Sequence, residues 1–311
     1  MRQIISILAF VALTLPLAAQ NLETVPFGDF ENWTVRYIKE SGLIGGETKP
    51  LYVVAPKDTI RANKVYDYSK TIWAGSNAYA VVMGVTKASV NVTPEKGPTG
   101  LCARMETVQT KVKAIGVINI SVVASGSLFW GKMLEPIKSA DNPMSTMSWG
   151  IPFTRRPKAL VLDYKAELPN TGKLMKGKEV IAGYDEEQML LILQNRTEDA
   201  QGNIHAKRVG TAVYRISKST GKWVKDHRIP VIYGDATKDA SYKAYMGLKT
   251  GEDTIYSLNS KGVNVPVIED GWASADTPVT HALLSVCTSS GGAFTAAIGN
   301  ILWVDNIRLE Y

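Results

Sequence analysis

Two cysteines and three histidines are too few for a disulfide scaffold in a chain of 311 residues. The fold must rest on a hydrophobic core, and 45% hydrophobic against 21% charged residues provides for one. His205, His227 and His281 lack the paired spacing of a metal centre. There is no Gly-x-Ser-x-Gly elbow. The near-match to a phosphate loop at residues 172–179 has Glu179 where a magnesium-holding hydroxyl belongs, so it reads as an exposed basic hairpin. No block of five or more like charges occurs, which leaves the net charge of +6 scattered and excludes a concentrated face for tracking nucleic-acid phosphates. Long helical patterns and internal repeats are also scarce.

What is present begins with a secretory leader: Arg2, an apolar run from Ile4 to Leu17, and Ala18-Ala19 before Gln20. That run is too short and too early for a membrane span. No cysteine stands at the junction to take a lipid. The expectation is export to the periplasm, outer surface or medium, with residues 1–20 as signal peptide and residues 21–311 as one domain. In an oxidising compartment Cys102 and Cys287 either form one bridge or remain two separate buried thiols.

Short apolar and β-branched runs recur between Gly, Pro, Asn and Asp clusters, the spacing of an all-β sandwich built from two antiparallel sheets. Strands are expected at 34–38, 79–85, 101–108, 117–124, 159–167, 188–195, 211–217, 223–229, 282–289 and 300–311. Loops are expected at 94–100, 139–149 and 235–239. Over residues 159–167, Leu160, Leu162, Tyr164 and Ala166 share one face and Asp163, Lys165 and Glu167 the other. The continuous run Met189 to Leu193 predicts a strand covered on both sides.

The chemistry available is aromatic and polar. Sugar rings present apolar faces that stack on flat side chains while polar residues take the hydroxyls. Of seven tryptophans, Trp73 (in Trp73-Ala74-Gly75-Ser76-Asn77), Trp149 and Trp272 lie beside Gly and polar residues and are the candidate ligand platform, with Asn77 beside the first. Any one tryptophan more often fills a core or braces a loop. Trp33 and Trp303, in apolar patterns, belong to the core.

The run Asn142-Pro143-Met144, then Trp149-Gly150-Ile151-Pro152-Phe153-Thr154-Arg155-Arg156-Pro157-Lys158, then Asp163-Tyr164-Lys165, resembles the signature of the putative carbohydrate metabolism domain of exported Bacteroidetes proteins. Phe30-Glu31-Asn32-Trp33, Gly126 to Gly131, Thr280-His281 and Leu302 to Asn306 resemble other parts of that family. The resemblance implies a jelly roll similar to carbohydrate-binding modules, with a poly- or oligosaccharide as partner. It also implies one structural calcium where first and last strands meet, near Asp29, Glu31 and Asp305.

Within the signature, Arg155, Arg156 and Lys158 either cross-pair with Asp163 and Glu167 as a structural rim, or Arg156, Asp163 and Lys165 orient sugar hydroxyls beside Trp73 or Trp149. Three functions follow. One is a non-catalytic glycan-binding module used in polysaccharide capture. Another is a glycan-cleaving enzyme pairing Asp163 with Glu186 or Glu187. The last is a surface-assembly protein that packs only against cell-surface protein partners.

Overall fold

The computed structural model describes residues 21–114, 118–139 and 142–311; the leader expected over residues 1–20 lies outside the described residues. The architecture is all-β, a jelly-roll β-sandwich. One sheet has six strands in the order Val224–Pro230, Ala159–Glu167, Ile301–Glu310, Leu101–Glu106, Val92–Lys96, with Leu22–Thr24 also paired to Ile301–Glu310. The other has ten, its main path running Met147–Trp149, Ser127–Met133, His281–Cys287, Glu187–Glu198, Ile204–Ile216, Asn264–Trp272, Tyr256–Leu258.

Alternation along the strands builds the interior. Leu160, Leu162, Tyr164 and Ala166 from the first sheet join Met189, Leu191, Leu193, Leu284 and Val286 from the second in one cluster. Each leucine, valine or methionine among them contributes about 1.5–3 kcal/mol when fully buried. Phe30, Trp33, Trp73, Trp130 and Phe153 extend this cluster toward one end, with neighbouring rings about 6 Å apart. Trp303 is buried on the opposite face of its strand, beneath Lys165 and Arg104, and not between the sheets.

The run Met189 to Leu193 is covered on both sides, as its continuity predicts. Leu190 and Ile192 face outward with Val213 and Leu283, and Met246, Ile255, Tyr242 and Tyr245 cover them. This second core is the reason for one departure from purely antiparallel sheets. After Ile204–Ile216 the chain crosses to the other sheet for Val224–Pro230, folds over the outer face through short 3₁₀ turns, and returns as Asn264–Trp272, parallel to Ile204–Ile216. So long a connection can bring the chain back to the same end, which a tight hairpin cannot.

Three other expectations change. The loop expected at 94–100 begins inside the strand Val92–Lys96, which pairs with Leu101–Glu106 and leaves only the turn at 97–100. The strand expected at 79–85 is a hairpin, Ala78–Val82 with Val85–Ser89, because Met83 and Gly84 both take left-handed backbone angles in a tight turn. The loop at 139–149 contains a 3₁₀ turn, Pro143–Thr146, and ends as the edge strand Met147–Trp149. The basic segment at 172–179 is a hairpin, as expected. Both cysteines are free thiols, Cys102 in the six-stranded sheet and Cys287 in the other.

Glu187 is an inconsistency within the interior. It has no exposed surface, and neither carboxyl oxygen has a hydrogen-bond partner. Burial, and then the charges of Asp185 and Glu167, push its pKa up to about 10. A carboxyl raised above its unfolded value costs nothing when both states are protonated, and costs progressively more as pH rises above the unfolded pKa. Glu187→Met is therefore expected to stabilise the fold at neutral pH by on the order of 3 kcal/mol, with the gain fading as pH falls toward about 4.5. Urea unfolding of both proteins near pH 8 and near pH 5 checks this; equal stabilities at the higher pH would overturn it.

Candidate functional site

Strand register assembles a groove on the outer face of the ten-stranded sheet. Ser127 stands opposite Cys287, Cys287 opposite Gln188, and Gln188 opposite Arg215, so four strands contribute one polar row. The next row on the same face is Phe129, Ser285, Leu190 and Val213. The first row, with Ser285 and Leu190 of the second, floors a cavity of about 240 Å³, also lined by Trp149 and Met147, by Lys249 and Ile255, and by Ser289, Ser290 and Phe294.

Trp149 is placed by local backbone constraints. Its strand pairs with Ser127–Met133 at Gly131, where any Cβ would lie 2.1 Å from the Ser148 carbonyl oxygen, so only glycine permits the approach. Arg196 donates from Nη1 to the Trp149 carbonyl at 3.2 Å. The indole stacks on Phe129 with centroids 4.4 Å apart and planes 26° from parallel. Its buried Nε1 has no hydrogen-bond partner.

Several polar groups on the floor are similarly uncommitted. Arg215 donates from Nε to Gln188 Oε1 at 3.0 Å and from Nη1 to Glu186 Oε2 at 3.3 Å, while its guanidinium lies 4.6 Å over the Tyr245 ring. Gln188 thus accepts with its oxygen and keeps its amide nitrogen for another partner. Among the described residues, Ser285 Oγ and Lys249 Nζ make no hydrogen bond within the protein. Burial lowers the Lys249 pKa, against the favourable charges of Asp253 and Glu269. Burial pushes the Cys287 thiol up to about 12, which favours its protonated form.

Lys249 reaches the groove because a buried network holds its segment. Arg208 and Glu269 form an ion pair with both side chains at most 1% exposed. Arg208 also donates to the Met246 and Gly247 carbonyls, and the Lys249 backbone N–H donates to Glu269 Oε2 at 2.6 Å. Burial would raise the Glu269 carboxyl, but the hydrogen bonds and charge of Arg208 hold it below its usual range. At the far end Asp185 accepts from Ser289 Oγ, from the backbone N–H groups of Ser290 and Ala297, and from Asn300 Nδ2, fixing the closing loop.

Of the candidate ligand, catalytic and metal residues named from sequence, only Trp149 lines this groove, together with Pro143, Met144 and Cys287 from other readings. Trp73 is fully buried and donates its indole N–H to the Pro26 carbonyl, so it is core and not a platform. Asn77 is buried and uses its amide on the backbones of Tyr52, Asn91 and Val92. Asp163, Arg156 and Lys165 all have partners within the protein, but the expected rim pairs do not form: Arg155 meets Glu23 and Arg156 meets backbone carbonyls, while Asp163 and Glu167 pair with Arg308 and Lys165. Asp163 accepts from the Asp226 N–H and pairs with Arg308, Arg156 holds the carbonyls of Ala275 and Thr277, and Lys165 pairs with Glu167 over Trp303. Trp272 stacks near Arg208, 5.5 Å from its guanidinium carbon, and braces the buried network.

The carboxylates expected as an acid/base pair are separated. Asp163 lies in the six-stranded sheet, Glu187 is interior, and Glu186 is engaged by Arg215. The carboxylates lining the groove are Glu252 and Asp253, adjacent on one rim, whereas paired-carboxylate hydrolysis needs groups on both sides of the scissile bond. Asp305 is buried and raised to about 6, by burial first and then by the charges of Asp163, Glu31 and Asp29. Glu31 instead accepts from the Leu101 N–H. Among the described residues no group of three or more His, Cys, Asp or Glu is arranged to hold a metal ion, while the charges of Asp29 and Glu31 still bear on Asp305.

Several solved structures are similar to the chain. A crystal structure of a putative glycoside hydrolase from Bacteroides thetaiotaomicron aligns with 89% of this chain and 71% of its own, at 17% identity and a TM-score of 0.48. One from Bacteroides vulgatus, also a putative glycoside hydrolase, aligns with 93% of this chain and 94% of its own, at 16% identity and 0.45. A carbohydrate-binding module specific for non-crystalline cellulose aligns with 80% of this chain and 94% of its own, at 12% identity and 0.27. No curated protein matches the chain. The putative carbohydrate metabolism domain matches residues 30–310, nearly the whole length, and the chain belongs to that family.

Proposed function

We propose that the protein is an exported, non-catalytic glycan-binding module that captures poly- or oligosaccharide in the groove on its ten-stranded sheet. The observation that carries this reading is the junction of a stacked aromatic wall, Trp149 on Phe129, with a floor whose Gln188 amide nitrogen and Ser285 hydroxyl have no protein partner. These two groups are open to the groove, so hydroxyls of a ligand can take up hydrogen-bonding capacity that the protein leaves unused. A sugar ring offers both the hydroxyls and an apolar face for the indole. Membership of a carbohydrate-related family supports the same ligand class.

Affinity electrophoresis of the mature protein through gels containing soluble polysaccharides, followed by product analysis of any hit, tests this function. Retardation without released product is the expected result; released product would move the protein to the enzymes, and no retardation in any gel would end the glycan reading. Trp149→Ala should weaken binding by roughly tenfold or more, the size of a true anchor. Its melting temperature should fall less than that of Trp73→Ala, because the ring is only partly buried. Trp73→Ala should behave in the opposite way, costing about 3–5 kcal/mol of stability through a core cavity. Equal binding by wild type and a folded Trp149→Ala variant would remove this groove as the site.

A further inference from the structure

Lys249 is the groove residue whose placement the capture of a neutral sugar does not explain. Hydroxyls are served by Gln188 and Ser285, yet the fold also ties down the segment at 244–249 and delivers an ammonium group to the cavity without giving it a hydrogen-bond partner. Placing a partly buried cation where no protein acceptor meets it is costly, and the cost is met by an anion that binds there. The charges around it favour the same conclusion. Arg215 lines the cavity with Nη2 uncommitted, after Nε and Nη1 are taken by Gln188 and Glu186. Arg208 and Arg215 are both near enough for their positive charges to bear on Lys249.

The groups that oppose an anion are also placed. Glu269 is consumed by Arg208, and Glu186 by Arg215. Asp253 and Glu252 line the same cavity, and Asp253 bears on Lys249 more than any other charge; both are exposed on the 251–253 turn, where water and salt screen them and an anion can compete for the ammonium group. The chain as a whole is basic, with a net charge of +6, which draws an acidic ligand toward the protein before contact.

Resting on the glycan-binding reading, we propose that the groove selects anionic saccharides, seating a uronate carboxylate or a sulfate on Lys249 Nζ and Arg215 Nη2 while the neighbouring ring packs on Trp149. Carboxylate and sulfate share the chemistry that these donors recognise, and the sugar that carries the charge decides which is met.

The test uses the mature protein in titration calorimetry against oligomers of galacturonate, glucuronate and mannuronate, the fully methyl-esterified galacturonate oligomer, sulfated galactan oligomers, and neutral cello- and manno-oligosaccharides. At least one acidic oligomer should bind, and its affinity should fall with rising salt and drop about tenfold in Lys249→Gln, with melting curves unchanged. If a galacturonate oligomer is the ligand, its methyl ester should bind correspondingly more weakly, since the rings are the same and the charge is gone. Binding by uronates but not sulfated galactans, or the reverse, identifies which anion the site takes, and either result supports the proposal. Lys249→Arg, which keeps the charge, should retain more affinity than Lys249→Gln and guards against an effect of altered folding. Neutral oligosaccharides binding as well as acidic ones, with Lys249→Gln unaffected, would overturn this inference and leave the glycan reading standing. Failure of every saccharide to bind would overturn both.

Discussion

Arg208 and Glu269 meet across two parallel strands with almost no exposed surface, Nε to Oε1 at 2.6 Å and Nη2 to Oε2 at 2.5 Å. Burying two charges is expensive, and an apolar pair of the same volume would often be at least as stable. The pair therefore matters less for its own energy than for what its remaining valences organise. Glu269 also accepts from Gln194 Nε2, and Gln194 in turn accepts from Arg196 Nε. Arg196 then holds the Trp149 carbonyl and Ser257 Oγ. From the other end Arg208 and Glu269 grip the carbonyls of Met246 and Gly247 and the N–H of Lys249. One network thus fixes both walls of the groove, the aromatic one and the cationic one. Removing either member would leave a buried charge unpaired, at about 3–5 kcal/mol, and would free both walls together.

Much of the sandwich is legible in the sequence because period-two alternation is a local signal. The strand Ala159–Glu167 turns Leu160, Leu162, Tyr164 and Ala166 inward as its alternation predicts. The run Met189 to Leu193 announces its double burial through continuity alone. The strand Asn264–Trp272 gives little warning, since Asn264, Pro266, Glu269, Asp270 and Gly271 dilute its apolar residues. It is held in place by the parallel neighbour and by Glu269, both set by tertiary structure. Ser127–Met133 is similarly obscured, because it carries aromatics on both faces, Phe129 outward and Trp130 inward.

The site is harder to read for a related reason. A tryptophan beside glycine and polar residues describes Trp73 and Trp149 equally well, and only strand parity separates them. Both belong to strands that flank Ser127–Met133, yet the Trp73 ring enters the interior against Phe30 and Trp130, while Trp149 stacks on the outward Phe129. Gln188, Arg215, Ser285 and Lys249 were not found from sequence. The first three become neighbours through register between strands far apart in the chain, and Lys249 arrives on a covering loop. The available signal was Gln188, a polar residue on the same face as Leu190 and Ile192 at the start of a run that is otherwise buried through Gln194, which marks a floor that meets something other than core.

The signature at 142–165 divides along the same line. Its first half supplies the groove: Asn264 Nδ2 holds the carbonyls of Ser145 and Met147, and the edge strand so anchored presents Trp149. Its second half closes the sandwich. Phe153 packs toward Trp130, Arg155 pairs with Glu23 and lies 3.6 Å from the Tyr311 ring centroid, and Arg156 lies over Tyr233 while holding the Ala275 and Thr277 carbonyls. Arg155 and Arg156, adjacent in sequence, reach opposite ways, one tying the first strand to the chain end and the other tying down the turn at 274–277. A guanidinium suits both places because it can stack on a ring and donate in its own plane at the same time, which a lysine cannot do. The segment at 142–165 is therefore mostly a device for joining the two sheets at one edge, and the polar floor of the groove is built from residues that this segment only borders.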